Sequence, residues 1–270
     1  MKPELSSILK DLGKIAVAFS GGVDSAYLLY AATEALGREN TLAITIDSQV
    51  LPRRELLRAE AFCKDRGIEH IVLKEDVFAI EGVVANKPDR CYHCKKNSFT
   101  EIIKEASKHG FESVACGTNT DDRNDYRPGE RAMRELGILA PLKQAELSKE
   151  EIRHYSREAG LETSDLPAMA CLASRFPYGD EITASGLAMT ERAEDYLRDL
   201  GFGQLRVRVH GDVARIELPS EDMARLMEPD IRNKVYSAFK EIGFSYVALD
   251  LMGYRTGSLN ETIDTGDRRD

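Results

Sequence analysis

The chain has 270 residues, of which 42% are hydrophobic and 31% charged, with a formal net charge of −9. That composition describes a folded, soluble protein with room for two cores, and it excludes a disordered chain. No apolar run approaches the ~18 residues that a membrane helix needs, and Met1-Lys2-Pro3-Glu4 lacks the apolar segment of a secretory leader, so a cytoplasmic protein with no membrane partner is expected. The negative balance gives no general attraction for phosphodiester backbones, so nucleic acid is not an expected partner. Five cysteines, an odd number, point to metal-binding or catalytic thiols over a disulfide framework.

The first informative stretch is the apolar run Ile15–Phe19 followed directly by Ser20-Gly21-Gly22-Val23-Asp24-Ser25. It reads as a strand entering a phosphate-binding loop. The glycines admit backbone angles closed to other residues, so successive N–H groups can converge on an anion while Ser20 and Ser25 add hydroxyls. A helix over Ser25–Leu36 would aim its N-terminus at the same phosphates. The common Gly-x-x-x-x-Gly-Lys-Ser/Thr loop is absent.

Beyond it, β-rich and helical runs alternate. Strands are predicted at Thr41–Ile46, Glu69–Leu73 and Ser113–Cys116, and helices at Arg53–Arg66 and Cys94–Lys108, with Leu57, Ala61 and Lys64 marking one face of the former. This is the pattern of an α/β fold, a parallel sheet with helices on both faces, which binds ligands at the carboxyl ends of its strands. The polar stretch from Thr118 to Gly129 follows the strand ending at Cys116-Gly117 and so falls at that end. An ordinary solvated loop is the alternative.

A helix is expected over Ser148–Ala159, then a Pro-rich, mobile active-site segment over Ser164–Gly179. The pattern then changes: a helix at Ala184–Leu200, strands Leu205–His210 and Val213–Leu218 flanking the hairpin signal Gly211-Asp212, a helical region at Asp230–Ile242 and a strand at Tyr246–Leu251. A nucleotide domain over residues 1–180 and a small α+β domain over 181–270 are expected. No internal repeat is visible.

Cys91-Tyr92-His93-Cys94 opens a predicted helix, and Cys171 lies in Ala170-Cys171-Leu172-Ala173-Ser174-Arg175-Phe176-Pro177-Tyr178-Gly179. Three thiolates are too few for a structural zinc site, so His93 completes it or the metal keeps an open position. An iron–sulfur cluster held by three cysteines would leave one iron open. Cys63 and Cys116 are expected to be packing residues.

Ser20–Ser25 resembles the PP-loop of the ATP pyrophosphatase superfamily, which holds the β,γ-pyrophosphate of ATP. Together with Asn124–Gly129, Ser174–Gly179, Arg206–His210, Ala214–Pro219, Leu249-Asp250-Leu251 and Gly253–Gly257, it makes the chain similar, over nearly its whole length, to the sulfur transferases that build the nickel-pincer cofactor of lactate racemase. The resemblance implies that ATP adenylylates a carboxylate of pyridinium-3,5-biscarboxylic acid mononucleotide and that sulfur then displaces AMP. In one branch of that family a cysteine donates its own sulfur. In another, similar to this chain, a Cys-x-x-Cys and a later cysteine hold a 4Fe-4S cluster that carries hydrosulfide from a sulfide source. Cys91, Cys94 and Cys171 match the second branch. Cys171 precedes Arg175 by four residues, a shorter interval than in the sacrificial branch. The family's members associate through the C-terminal domain, which implies a homo-oligomer.

Roles follow. Asp24 is the candidate Mg²⁺ ligand, or a carboxylate that simply favours the helix dipole. Ser20, Gly21, Gly22, Ser25, Gly117, Asp125 and Arg127 are candidate nucleotide contacts. Lys95 and Lys96 are candidates to neutralise charge on the acyl-adenylate, with surface solvation as the alternative. Arg206, Arg208 and Arg255 suit the substrate's phosphate and second carboxylate, because guanidinium presents a planar fork to oxyanions; the alternative is a solvated sheet face. Glu217 is a metal ligand or an ordinary strand residue. A tRNA thiolase and a regulatory nucleotide-binding module with structural zinc are the competing functions.

Overall fold

The computed structural model describes residues 1–121, 128–167, 170–255 and 257–259. They fall into two compact units: Met1–Ile80 with Cys91–Met169, and Glu81–Arg90 with Ala170–Asp270.

In the first unit, β1 (Ile15–Ala18), β2 (Thr41–Asp47), β3 (Glu69–Lys74) and β4 (Val114–Cys116) form one sheet in the order β3-β2-β1-β4. All three pairings are parallel, with Ala18 opposite Ile44 and Cys116. Helices α2 (Val23–Leu36), α3 (Arg53–Arg66) and α4 (Arg90–Lys108) make the crossovers that parallel pairing demands. Alternation along β1 splits the core in two. Ile15 and Val17 pack with Leu5 and Leu9 of α1 (Pro3–Leu12), with α2, and with Ile152, which lies on α7 (Lys149–Glu158). Ala16 packs with Phe99, Ile102 and Ala106 of α4 and with Met133 of α5 (Pro128–Glu135). Both faces of the sheet are therefore covered, as the alternation of runs implied.

Two details differ from the pattern reading. Helix α1, with Pro3 in its first turn and Leu5 and Leu9 buried, has no counterpart there. On α3 the buried residues are Glu55, Ala59, Phe62 and Cys63, while Leu57 is 64% exposed on the opposite side. Apolar spacing alone mistakes that face because a helix bearing so many charges buries whichever side carries Ala59 and Phe62 onto the sheet. A short helix α6 (Pro141–Gln144) precedes α7, whose start carries a capping box in which Ser148 and Glu151 bond each other's backbone N–H.

In the second unit, β5 (Arg206–His210) and β6 (Val213–Glu217) form an antiparallel hairpin, and β7 (Tyr246–Leu249) adds parallel to β6. Gly211 supplies the turn's positive φ of 60°. Helix α8 (Ala184–Asp199), begun by Thr183 bonding the Gly186 N–H, packs on β5 and on α10 (Pro229–Ile242); α9 (Ser220–Leu226) follows β6. Among the described residues no helix is long and apolar enough to cross a membrane.

Candidate active site

The loop after β1 is closed by side chains from within it. Ser25 Oγ donates to Gly22 O at 3.1 Å, accepts from Ser20 N at 3.3 Å and lies 3.2 Å from Ser20 Oγ. Gly21 takes φ 76°, and a Cβ there would lie 3.0 Å from the Glu55 carbonyl oxygen. Gly117, at the end of β4, is needed for space: a Cβ would stand 2.7 Å from Ser25 N and 3.0 Å from the Asp24 carbonyl carbon. Ser20, Gly21, Gly22, Asp24, Ser25 and Gly117 are thus one assembly, with the first N–H groups of α2 opening onto the loop.

Asp24 is held by a residue that motif reading missed. Lys149 Nζ donates to Asp24 Oδ2 at 2.5 Å, and Lys149 N donates to Asp121 Oδ2 at 2.9 Å. The signal was there: Lys149 opens a helix whose first turn also carries Glu150 and Glu151, and a cation there opposes the helix dipole unless a carboxylate meets it. Asp24 Oδ1 is buried with no hydrogen-bond partner among the described residues. An orphaned carboxylate oxygen beside a phosphate loop fits a Mg²⁺ ligand.

Lys95 and Lys96 part company. Lys95 lies across Gly129 of α5, where a Cβ would meet its Cδ at 2.5 Å, and its Nζ is 4.0 Å from Met133 Sδ. Met133 Sδ in turn lies 3.4 Å from Cys116 Sγ and 3.9 Å from Thr118 Oγ1 at the end of β4, so Lys95 reaches the nucleotide end of the sheet. Lys96 is exposed and donates to Tyr92 Oη at 2.8 Å and Glu135 Oε2 at 3.1 Å. Hydrogen bonds from Tyr92, Arg131 and Lys96 pull the Glu135 carboxyl down to about 2. Lys96 belongs to a surface network that ties α4 to α5. Burial raises the Cys63 thiol to about 12, as a packing residue should show. Asp125 and Arg127 lie outside the described residues.

In the second unit, Cys171 is exposed and caps a short 3-10 turn, Leu172–Arg175. Arg175 is fully buried. It meets Glu194 at 2.7 and 2.9 Å, and its Nη1 donates to Ala170 O, Cys171 O and Ser174 Oγ. Burial would raise the Glu194 carboxyl, but Arg175, Arg198 and Arg206 outweigh it and hold it at about 2. Arg206 and Arg208 share one face of β5, and that face is buried, not solvated: their exposures are 5% and 6%. Arg208 already presents its fork to Glu217, at 3.0 Å twice, and gives Nη1 to Ser174 O at 2.6 Å. Glu217 also meets Arg215 at 3.2 Å, which makes it an ion-pair centre. Arg206 lies over the Tyr254 ring, and burial with the like charge of Arg175 pushes it down to about 10. Arg255 lies 3.7 Å from Asp250 and is about a third exposed.

A family model described as NAD synthase matches residues 8–107. The chain is 36% identical over 262 residues to the pyridinium-3,5-bisthiocarboxylic acid mononucleotide synthase of Lactiplantibacillus plantarum, covering 97% of this chain and 94% of that protein. The chain belongs to that synthase family. An uncharacterized protein of Synechocystis sp. is 40% identical over 96% of both chains. A narrower likeness, 29% identity over 55% of this chain and 38% of the relative, joins it to an argininosuccinate synthase of Haloarcula marismortui.

In this member of the synthase family the cysteines are divided between the two units. Cys91 and Cys94 sit one turn apart on α4, in the first unit, and Cys171 is carried by the second. None of the five cysteines forms a disulfide among the described residues. The donor chemistry, three thiols, suits an iron–sulfur cluster. Among the described residues no group of three or more His, Cys, Asp or Glu side chains is placed to hold a metal ion.

The segment after Cys171, expected to be mobile, is tied down. Asn86, in the second unit, donates Nδ2 to Pro177 O at 2.7 Å and Asp180 O at 3.0 Å, and Arg90 Nη1 donates to Ala173 O at 3.0 Å. Neither Asn86 nor Arg90 belongs to a motif, so residue patterns gave no pointer to them.

Proposed function

We propose that this chain is an ATP-dependent sulfurtransferase of nickel-pincer cofactor biosynthesis, which adenylylates a carboxylate of pyridinium-3,5-biscarboxylic acid mononucleotide and replaces its oxygen by sulfur. The observation that carries this reading is the identity of 36% along 97% of the chain to a synthase of the bisthiocarboxylic product. The loop geometry supports the ATP half of the reaction.

The carboxylate is a poor electrophile until its oxygen attacks the α-phosphorus of ATP and pyrophosphate leaves. The N–H groups of the Ser20–Ser25 loop and of the α2 N-terminus receive the departing pyrophosphate, and Lys149 and Lys95 lower its charge and that of the acyl-adenylate. When bound, Mg²⁺ on Asp24 would add Lewis-acid neutralisation of the same oxygens. Sulfide then attacks the acyl carbon, and AMP leaves with the former carboxylate oxygen, so the product is a thiocarboxylate. Arg206, a buried arginine of β5, and Arg255, about a third exposed, are the arginines that would meet the substrate's anionic groups.

The test is incubation with ATP, Mg²⁺, sulfide and the pyridinium mononucleotide, followed by pyrophosphate assay and product mass. Product in which sulfur has replaced oxygen is expected; pyrophosphate without any such product refutes the reading. For the sulfur source we propose a 4Fe-4S cluster on Cys91, Cys94 and Cys171, supported by the three-thiol donor set. Anaerobically purified protein should then contain about four irons and four acid-labile sulfides per chain. Stoichiometric zinc refutes the cluster, and loss of the Cys171 sulfur from the protein's own mass after one turnover replaces it with sacrificial donation.

A further inference from the structure

Three buried guanidiniums converge on the carbonyls of one short turn. Arg175 takes Ala170 O and Cys171 O at 2.7 and 3.0 Å, Arg90 takes Ala173 O at 3.0 Å, and Arg208 takes Ser174 O at 2.6 Å. The turn's own backbone supplies Ser174 N to Cys171 O at 3.0 Å and Phe176 N to Ala173 O at 3.3 Å, so the guanidiniums add contacts to these carbonyls that so short a turn cannot make with its own backbone. The residue exposed at its head is Cys171.

Asn86 extends the hold. It is fully buried at φ 51°, a conformation that few non-glycine residues adopt and that persists only where the surroundings fix it. Its amide donates to Phe176 O, Pro177 O and Asp180 O at 3.3, 2.7 and 3.0 Å, its own carbonyl accepts from Gly179 N at 3.0 Å, and its Oδ1 accepts from Arg90. An amide has two hydrogens, so the longest of those three contacts is a shared one. Arg90 is 3% exposed and also lies 5.7 Å from the Tyr178 ring centroid. It immediately precedes Cys91, so the residue that leads into the Cys-x-x-Cys helix is the one that grips the Cys171 turn.

We propose that Asn86 and Arg90 are positioning residues for sulfur delivery: they fix the turn that presents Cys171, and through it set where that thiol stands during transfer. This rests on the sulfurtransferase reading. A polar network buried to this degree fixes its donors on particular carbonyls, which specifies a single arrangement of the turn where apolar packing would tolerate several.

The test uses the full chain with Asn86→Gly, which keeps the left-handed backbone and deletes the amide, and Arg90→Lys, which keeps the charge and deletes the fork. Arg90→Ala with and without added methylguanidine is the rescue arm. Folding is checked by circular dichroism, and should Arg90→Ala fail to fold, the first two variants decide. Two quantities are read: kcat for thiocarboxylate formation and kcat for pyrophosphate release. The expected result is unchanged pyrophosphate release with sulfur transfer down by about 100-fold, the scale on which small misplacements act, and partial recovery in methylguanidine. Folded variants that transfer sulfur at the wild-type rate, or that lose pyrophosphate release in step with sulfur transfer, overturn the proposal. A wild type that forms no thiocarboxylate overturns the parent reading, and the proposal with it.

Discussion

Replacing Glu194 by glutamine should uncouple the C-terminal unit's buried charges. The carboxylate accepts from Arg175 Nε and Nη2 at 2.7 and 2.9 Å, from Arg198 Nη2 at 2.7 Å and from Val207 N at 3.1 Å. A glutamine accepts through one atom only and turns an NH₂ toward guanidinium donors, leaving a buried cation uncompensated. Two routes give the size. The Glu194 carboxyl falls from 4.5 to about 2 on folding, against burial and under the charges of Arg175, Arg198 and Arg206; at ~1.4 kcal/mol per unit that is roughly 3 kcal/mol. Breaking a buried ion pair from one side costs about 3–5 kcal/mol. Because the folded value is depressed, this stability is present above the unfolded value and is lost as pH falls from about 5 toward 2. The chain has no tryptophan, so urea unfolding is best followed by circular dichroism, with hydrogen exchange at the Val207 amide as a local probe of the same carboxylate. Glu194→Gln should lower stability by about 3 kcal/mol at neutral pH and flatten the acid limb. A loss under ~1 kcal/mol, or an acid limb as steep as in the wild type, would refute the reasoning.

Gly117→Ala drives a methyl against Ser25 N, a backbone atom that cannot yield, so ATP binding measured by calorimetry should be lost, with about 1–3 kcal/mol of stability. Lys149→Met removes the counter-charge 2.5 Å from Asp24 and should lower kcat for pyrophosphate release by about 100-fold, with an unchanged melting temperature separating this from misfolding. On α3, Phe62→Ala empties the contact with the Phe19 ring at 5.4 Å and should cost about 3–5 kcal/mol in denaturant unfolding, whereas Leu57→Ala should change stability by less than ~0.5 kcal/mol.

The nucleotide half was legible because its parts are contiguous. Ser20 to Ser25 closes on itself through bonds spanning five residues or fewer, and glycines at such positions announce backbone geometry directly. Parallel pairing followed from alternating runs in the same way. The turn around Cys171 was not legible, since its partners lie 34 residues away at Arg208, 83 at Arg90 and 94 between Asn86 and Asp180. Asparagine and arginine at those places look like surface residues until the chain is folded. The β5 alternation illustrates the same gap: Val207 and Val209 mark one face correctly, but the polar face of Arg206 and Arg208 is covered by the Leu172–Arg175 turn and by carboxylates of α8 and β6. Period two separates faces without saying which one is wet.

That burial also bears on why the charges are there. Arginines in a core are less stabilising than apolar residues of the same size, and removing one member of a buried pair is costly. Their retention around the Cys171 turn is understandable if they do something packing does not. Arg175 and Arg208 each divide their donors between a carboxylate and a carbonyl of the turn, so the carboxylates of Glu194 and Glu217 orient the guanidiniums, and the guanidiniums orient the backbone that carries the thiol. Loss of Glu194 should then be felt twice, once as stability and once as slower thiocarboxylate formation with unchanged pyrophosphate release, through Cys171, a residue it does not need to touch. If folded Glu194→Gln protein forms thiocarboxylate at the wild-type rate, the two roles are separate and the orientation argument fails.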